Sequence, residues 1–198
     1  MHPKPFLRLA GVLLLACLAV CARAGEIKPW KGKTPALALP DLEGRETTLA
    51  QFKGKVVVLN FWATWCEPCR AEMPSMQKLA DKFGPDKLVV LGVNYQEGEP
   101  RIRRFLTQNP VQFTILMDRE GSATKAWITR VFPTSIIIGP DGRPRHLVVG
   151  EYDWASPAID QLVTKLLPTQ PKVAANTQNR PFLAASGAQA QLLSFQVP

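Results

Sequence analysis

The sequence predicts an α/β domain, a mixed central β-sheet flanked by helices, within residues 36–168. Three observations carry this expectation. Two β-branched apolar runs of buried-strand length, Val56–Phe61 and Leu88–Val93, are separated by a helical pattern, as in a parallel β-α-β unit. Two later strands, Thr134–Ile138 and His146–Val149, are joined by the turn Pro140-Asp141-Gly142, which makes them an antiparallel hairpin. The chain of 198 residues is 46% hydrophobic and 20% charged, which suits one ordinary domain and excludes a wholly disordered or fibrous chain.

The elements follow in order. Residues 36–48 read as a hairpin, with Ala36–Leu39 and Glu46–Thr48 flanking a turn over Pro40–Arg45. Leu49–Phe52 reads as one helical turn and Lys53–Lys55 as a loop. After the strand Val56–Phe61, a helix is expected from Cys66 or Glu67 to about Phe83. Its apolar stripe is Met73, Met76, Leu79, Ala80 and Phe83, and Gly84-Pro85 ends it. Helix is expected near Pro100–Gln108, strand near Phe113–Met117 and a short helix near Ser122–Trp127. A last helix over Tyr152–Leu167 closes the domain. Trp127 and Trp154 read as core or surface aromatics.

The chain ends carry different signals. Lys4 and Arg8 precede a 12-residue apolar run, Leu9–Val20, and Ala22-Arg23-Ala24 has the form of a cleavage site. Residues 1–24 therefore read as an export signal, with Gly25 as the first mature residue and residues 25–35 as a linker. The run is shorter than the roughly 20 residues a spanning helix needs. The alternatives are an uncleaved interfacial anchor, or a lipid anchor at Cys17, because Leu14-Leu15-Ala16-Cys17 resembles a lipoprotein box. Each of these places the domain outside the cytoplasm. Residues 169–198, poor in charge and rich in Gln, Ala, Asn, Pro and Ser, read as a tail.

The formal charge of +8 invites a nucleic-acid reading that its distribution weakens. Lys4, Arg8, Arg23, Lys172 and Arg180 lie in the two end segments, leaving 19 basic against 16 acidic residues in 25–170. The densest internal cluster, Arg101, Arg103 and Arg104, falls on an expected helix with no recognition motif. It reads as a solvated face, and no nucleic-acid partner is expected.

The chemistry lies in Trp65-Cys66-Glu67-Pro68-Cys69, a C-x-x-C directly after a buried strand and opening a helix. Carboxyl ends of such strands are where α/β sheets place their reactive groups. A cysteine capping a helix meets unpaired N–H groups and the positive end of the dipole, which favour its thiolate. Such placement lowers a thiol pKa from ~8.5 to roughly 3.5–7.5. Cys66 is thus expected to be exposed and partly ionised. Cys69, one turn on, is placed to attack a mixed disulfide at Cys66. Pro68 fits the first turn, where its missing N–H costs nothing. Without the signal, Cys66 and Cys69 are the only cysteines. A purely structural disulfide would close too short a loop to restrict the unfolded chain much. A metal site lacks ligands, since the histidines are only His2 and an isolated, exposed His146; none is expected.

These residues resemble the TlpA/ResA-like exported thiol–disulfide oxidoreductases of the thioredoxin superfamily. The similarity runs from about Ala36 to Leu167. It is carried by the N-terminal hairpin with Leu49–Lys55, by Asn60-Phe61-Trp62-Ala63-Thr64-Trp65-Cys66-Glu67-Pro68-Cys69, by Val93-Asn94-Tyr95-Gln96-Glu97 and by Val131-Phe132-Pro133-Thr134. The resemblance implies a thioredoxin-like fold with an N-terminal β-hairpin extension. It implies catalysis by Cys66 and Cys69, with Pro133 as a cis-proline facing them and the Phe132 backbone pairing with substrate. Trp65, Glu67, Pro68, Phe132 and Thr134 are the candidate substrate-contacting residues, and Trp62 packs beside them.

The buried active-site Asp of cytoplasmic thioredoxins falls at Asn60, which cannot take a proton. The resemblance implies a Glu near the cysteines instead and places it at Glu97, where a partly buried carboxyl of raised pKa would accept the Cys69 proton. Glu67 sets negative charge beside the Cys66 thiolate, which argues for a reductant. No cofactor is expected. The implied partners are disulfide-bearing proteins, such as apocytochrome c haem-site cysteines or a respiratory copper-site pair. A membrane dithiol donor would re-reduce the protein, which is expected to act as a monomer. A thiol peroxidase and a copper chaperone are the competing readings.

Overall fold

In the computed structural model, which describes residues 25–128 and 131–168, the chain runs through eight strands and four helices. The strands are β1 (Glu26–Pro29), β2 (Ala38–Pro40), β3 (Glu46–Thr48), β4 (Val56–Trp62), β5 (Leu88–Tyr95), β6 (Thr114–Asp118), β7 (Thr134–Ile138) and β8 (Pro144–Val149). The helices are α1 (Glu67–Phe83), α2 (Glu99–Gln108), α3 (Ser122–Trp127) and α4 (Pro157–Leu166), with a single 3₁₀ turn at Leu49–Phe52. Six strands form one sheet in the order β1-β8-β7-β4-β5-β6, and β2 and β3 pair separately as the N-terminal hairpin. β4 and β6 run parallel to β5, while β7 runs antiparallel to β4, β8 to β7 and β1 to β8.

The central position of β4 follows from its sequence. All seven of its residues are buried, and they alternate between two cores as a two-residue repeat requires. Val57, Leu59 and Phe61 face Leu91, Val93 and Ile136, under the hairpin residues Leu37 and Leu39 and under Trp127 of α3. Val56 and Val58 face Met76 and Leu79 of α1 and Ile159 and Val163 of α4. Burying each such aliphatic side chain contributes about 1.5–3 kcal/mol, so a strand this apolar is stable only between two covering layers.

This topology brings three chain ends to one edge. β4 and β5 finish there, paired Trp62 to Asn94, and antiparallel β7 begins there, paired Thr134 to Phe61. The segments carrying Cys66, Glu97 and Pro133 leave or enter the sheet at that edge.

Two expectations need correction. The segment 25–35, read as a linker, contributes β1, whose Glu26–Pro29 pairs with His146–Val149 of β8. Trp30 packs its ring 5.9 Å from that of Trp127, and Trp127 Nε1 donates to the carbonyl of Ala36. The last helix starts at Pro157 rather than Tyr152, because Pro157 is pre-organised for a first turn while holding Ser156 in an extended conformation (ψ 150°). The expected signal segment 1–24, with its alternative lipid site Cys17, and the tail 169–198 lie outside the described residues.

Candidate active site

Cys66 is the N-cap of α1, with Glu67 and Pro68 filling the first helical positions. It is joined to Cys69 by a disulfide whose Cα atoms are 5.3 Å apart. The Cys69 N–H points at Cys66 Sγ, 3.3 Å away, so sulfur takes the place an N-cap oxygen ordinarily fills. Once the disulfide opens, that N–H and the helix dipole favour negative charge on Cys66. Cys66 is 5% exposed and Cys69 1%, so the exposed Cys66 expected from sequence is not found in this oxidised form. Its sulfur is tied back to Cys69, and the pair sits in a cluster with Trp62, Ala63 and Met73, against Phe132.

An aromatic rim surrounds the pair. Trp65 is 59% exposed and meets Phe132 edge-on with ring centroids 5.8 Å apart, while the Tyr95 ring stands 5.2 Å from that of Phe132. Exposed Val131 extends this apolar surface. The Phe132–Pro133 peptide is cis. Pro133 is buried, and its carbonyl accepts from the Gly150 N–H at 2.9 Å. Trp62 lies wholly in the core. Thr134, a candidate substrate contact, is instead buried, and its hydroxyl donates to the carbonyl of Val131 at 2.7 Å, bracing the loop from within. Pro68 is half-buried in the first turn of α1. Glu67 is exposed and paired with Arg70 at 2.8 Å, which offsets the negative charge expected to act on Cys66.

Glu97 is 8% exposed and clamps the loop that leads into Cys66. Its Oε2 accepts from the Thr64 N–H at 2.7 Å and from Asn94 Nδ2 at 2.9 Å. Its Oε1 accepts from the Thr64 hydroxyl at 2.6 Å and pairs with Arg101 Nε at 2.7 Å. Gln96, the one non-glycine of positive φ among the described residues (53°), turns the chain so that Glu97 points back under Thr64.

A second buried acid, which the sequence pattern did not single out, is closer in helical register to the cysteines. Glu72 lies one turn past Cys69 on the same buried face of α1 and is 2% exposed. Its Oε1 accepts from Asn60 Nδ2 at 2.8 Å, and its Oε2 accepts from the Tyr152 N–H at 3.1 Å and from Trp154 Nε1 at 3.2 Å. Burial pushes its carboxyl up to about 7, against the pull of these three donors. Asn60 also donates to the Ser135 hydroxyl at 2.9 Å, so its side-chain amide links the Glu72 carboxylate to β7. The sequence held a signal for Glu72: the stripe Met73, Met76, Leu79 continues N-terminally through positions 72 and 69. Among the described residues, no group of three or more His, Cys, Asp or Glu side chains is placed to hold a metal ion. His146 is half-buried rather than exposed, and burial with Arg145 beside it lowers its pKa.

Known proteins agree with this geometry. Residues 31–146 match the AhpC/TSA family. The thiol-disulfide oxidoreductase ResA of Bacillus thuringiensis subsp. konkukian is 32% identical over 136 residues, 69% of this chain and 78% of the relative. The thioredoxin-like protein YneN of Bacillus subtilis is 38% identical over 121 residues, 60% of this chain and 70% of the relative. Among solved structures, a Chlorobium tepidum protein assigned as a thiol:disulfide interchange protein DsbE superposes with a TM-score of 0.63 at 32% identity. That match covers 69% of this chain and 96% of the other. With a helix-capping cysteine pair on a thioredoxin-like sheet, the chain belongs to the AhpC/TSA family and is a thiol–disulfide oxidoreductase of the thioredoxin superfamily.

Proposed function

We propose that this protein works outside the cytoplasm as a reductant of disulfides in partner proteins. The observation that carries the exchange chemistry is the Cys69 N–H directed at Cys66 Sγ at the helix cap, which marks Cys66 as the nucleophilic sulfur, while the reducing direction rests on the family resemblance. The reduced Cys66 thiolate attacks one sulfur of a substrate disulfide. A Cys66–substrate bond forms, the substrate S–S bond breaks, and the departing sulfur takes a proton. Cys69 then gives up its proton, and its thiolate attacks Cys66 Sγ. The Cys66–Cys69 disulfide closes and the second substrate sulfur leaves as a thiolate. Two electrons pass from enzyme to substrate.

Glu72, rather than Glu97, is the group suited to receive the Cys69 proton. Its carboxyl titrates near neutrality and its donors are all uncharged, whereas a guanidinium and three further donors hold Glu97. Glu97 is a positioning residue for the Thr64–Cys66 loop. The rim of Trp65, Phe132 and Val131 offers an apolar platform for an extended substrate segment.

The export reading rests on the charged and apolar pattern of residues 1–24, with a lipid anchor at Cys17 as its variant. An oxidising compartment requires a membrane dithiol donor to restore Cys66 and Cys69 after each cycle. The resemblance extends the substrate class to the haem-site cysteines of an apocytochrome c or to a respiratory copper-site pair. Expression of Cys69→Ser in the native compartment tests the reading. Mixed disulfides through Cys66 should accumulate and identify the partners by mass spectrometry. Their absence, or adducts that persist when Cys66 is also replaced by Ser, would overturn it.

A further inference from the structure

The basic cluster on α2 is exposed, as its sequence suggests, but its three guanidiniums are held differently. Arg103 turns away from the cysteines, bound to Glu99 at 2.8 Å and to the carbonyl of Leu42. Arg101 and Arg104 line a groove of about 300 Å³ together with Thr64, Arg70, Phe105 and Gln108. Thr64 is two residues before Cys66, and Phe105 packs on the cluster that holds both cysteines, so the groove adjoins the segment carrying the reactive sulfur.

Its charges are arranged asymmetrically. No Asp or Glu lines the groove. Glu97 takes up Arg101 through Nε, and Glu67 takes up Arg70 through one terminal nitrogen. The Arg70 guanidinium is held 5.8 Å over the Phe105 ring. Arg104 is exposed and has no carboxylate partner among the described residues. The groove therefore presents one uncompensated cation and further guanidinium donors, backed by an aromatic ring. Through Arg70, Gln108 and Asn109 it runs into a second groove of about 390 Å³, walled by Met73, Pro74 and Val111 and likewise free of acids.

We infer that this groove docks an acidic segment of the substrate protein beside its target disulfide, with an apolar residue following into the second groove. The inference rests on the proposed reduction of protein disulfides and names which of them the site prefers. An extended chain advances about 3.3–3.6 Å per residue, and Arg101 Nε stands 2.9 Å from the hydroxyl of Thr64, two residues before Cys66, so a carboxylate two to four positions from the attacked cysteine is placed to meet Arg101 and Arg104. Lysines there would meet like charge. Guanidiniums suit a carboxylate because they donate to it in a planar fork.

The test uses the full chain, reduced with dithiothreitol and desalted, in single-turnover reduction of two disulfide peptides. The peptides differ only in carrying Asp and Glu or Lys at positions two to four from the cysteine. At low ionic strength the acidic peptide should be reduced ~10-fold faster, the ratio falling to about twofold at high salt as screening sets in. Arg104→Glu should bring the low-salt ratio to one or below. Equal wild-type rates at low salt, or a ratio untouched by Arg104→Glu, would overturn the docking inference while leaving disulfide reduction standing. Failure to reduce either peptide would overturn the proposed function and this inference with it.

Discussion

Replacing Glu72 by Gln should remove a pH dependence of stability that the buried carboxyl imposes. In the unfolded chain this group titrates at its ordinary value of 4.5, and in the folded protein at about 7. Below the lower value both states hold the proton and the group contributes nothing. Between the two values the unfolded chain ionises first, so stability falls as pH rises. Above about 7 both states are ionised and the loss is complete. A tenfold difference in proton affinity between the folded and unfolded chain corresponds to about 1.36 kcal/mol, so the full loss is about 3 kcal/mol between pH 4 and pH 8. The assay is urea unfolding of oxidised wild type and Glu72→Gln at several pH values. The Gln amide keeps one acceptor oxygen, so either Asn60 Nδ2 or the Tyr152 and Trp154 N–H groups lose theirs, but that cost is independent of pH and cancels in the comparison across pH. Wild-type stability relative to the variant should therefore drop by about 3 kcal/mol across the window. A difference that stays flat from pH 4 to pH 8 would show that Glu72 is not a buried acid of raised pKa, and its proton role would fail with it.

Glu97→Ala leaves the Thr64 N–H and hydroxyl without their acceptor, and should cost about 2 kcal/mol in chemical denaturation at pH 7. It should also speed hydrogen exchange at the Thr64 amide; unchanged exchange would refute the clamp. Gly92→Ala puts a methyl 3.0 Å from Ile115 Cδ1, 3.1 Å from Trp62 Nε1 and 3.2 Å from Phe113, all in packed surroundings. It should destabilise the fold by about 1–3 kcal/mol in the same assay. In a peroxide-consumption assay with a dithiol donor, the wild type should turn over no faster than Cys66→Ser; rapid turnover would favour a thiol peroxidase.

The parts of the fold legible in the sequence are those whose pattern is local. β4 and β5 announce themselves because strands buried on both faces need unbroken apolar runs, and α1 because its stripe repeats at three and four residues. β1 was hidden: Glu26-Ile27-Lys28-Pro29 is short and polar, and only the exposed edge of β8 makes it a strand. The start of α4 was obscured because Tyr152 and Trp154 imitate a helical stripe. Trp154 is in fact buried as a donor to Glu72, reached across a turn before Pro157.

The same division holds at the site. The cysteine pair was readable from spacing and context. Of the two buried acids, Glu97 was placed near the cysteines by the resemblance alone and Glu72 was not singled out, because the environments of both are tertiary. Glu97 is defined by Thr64, Asn94 and Arg101, which are scattered in sequence, and Glu72 by residues from β4 and from the loop before α4. A charged residue within an apolar helical stripe was the one local sign that Glu72 left.

Site-resolved alkylation of the reduced protein as a function of pH asks the central question, whether the helix cap makes Cys66 the reactive sulfur. Iodoacetamide should modify Cys66 well before Cys69, with a rate midpoint below the ~8.5 of an ordinary thiol. Equal, slow modification of both sulfurs with an ordinary midpoint would contradict the account.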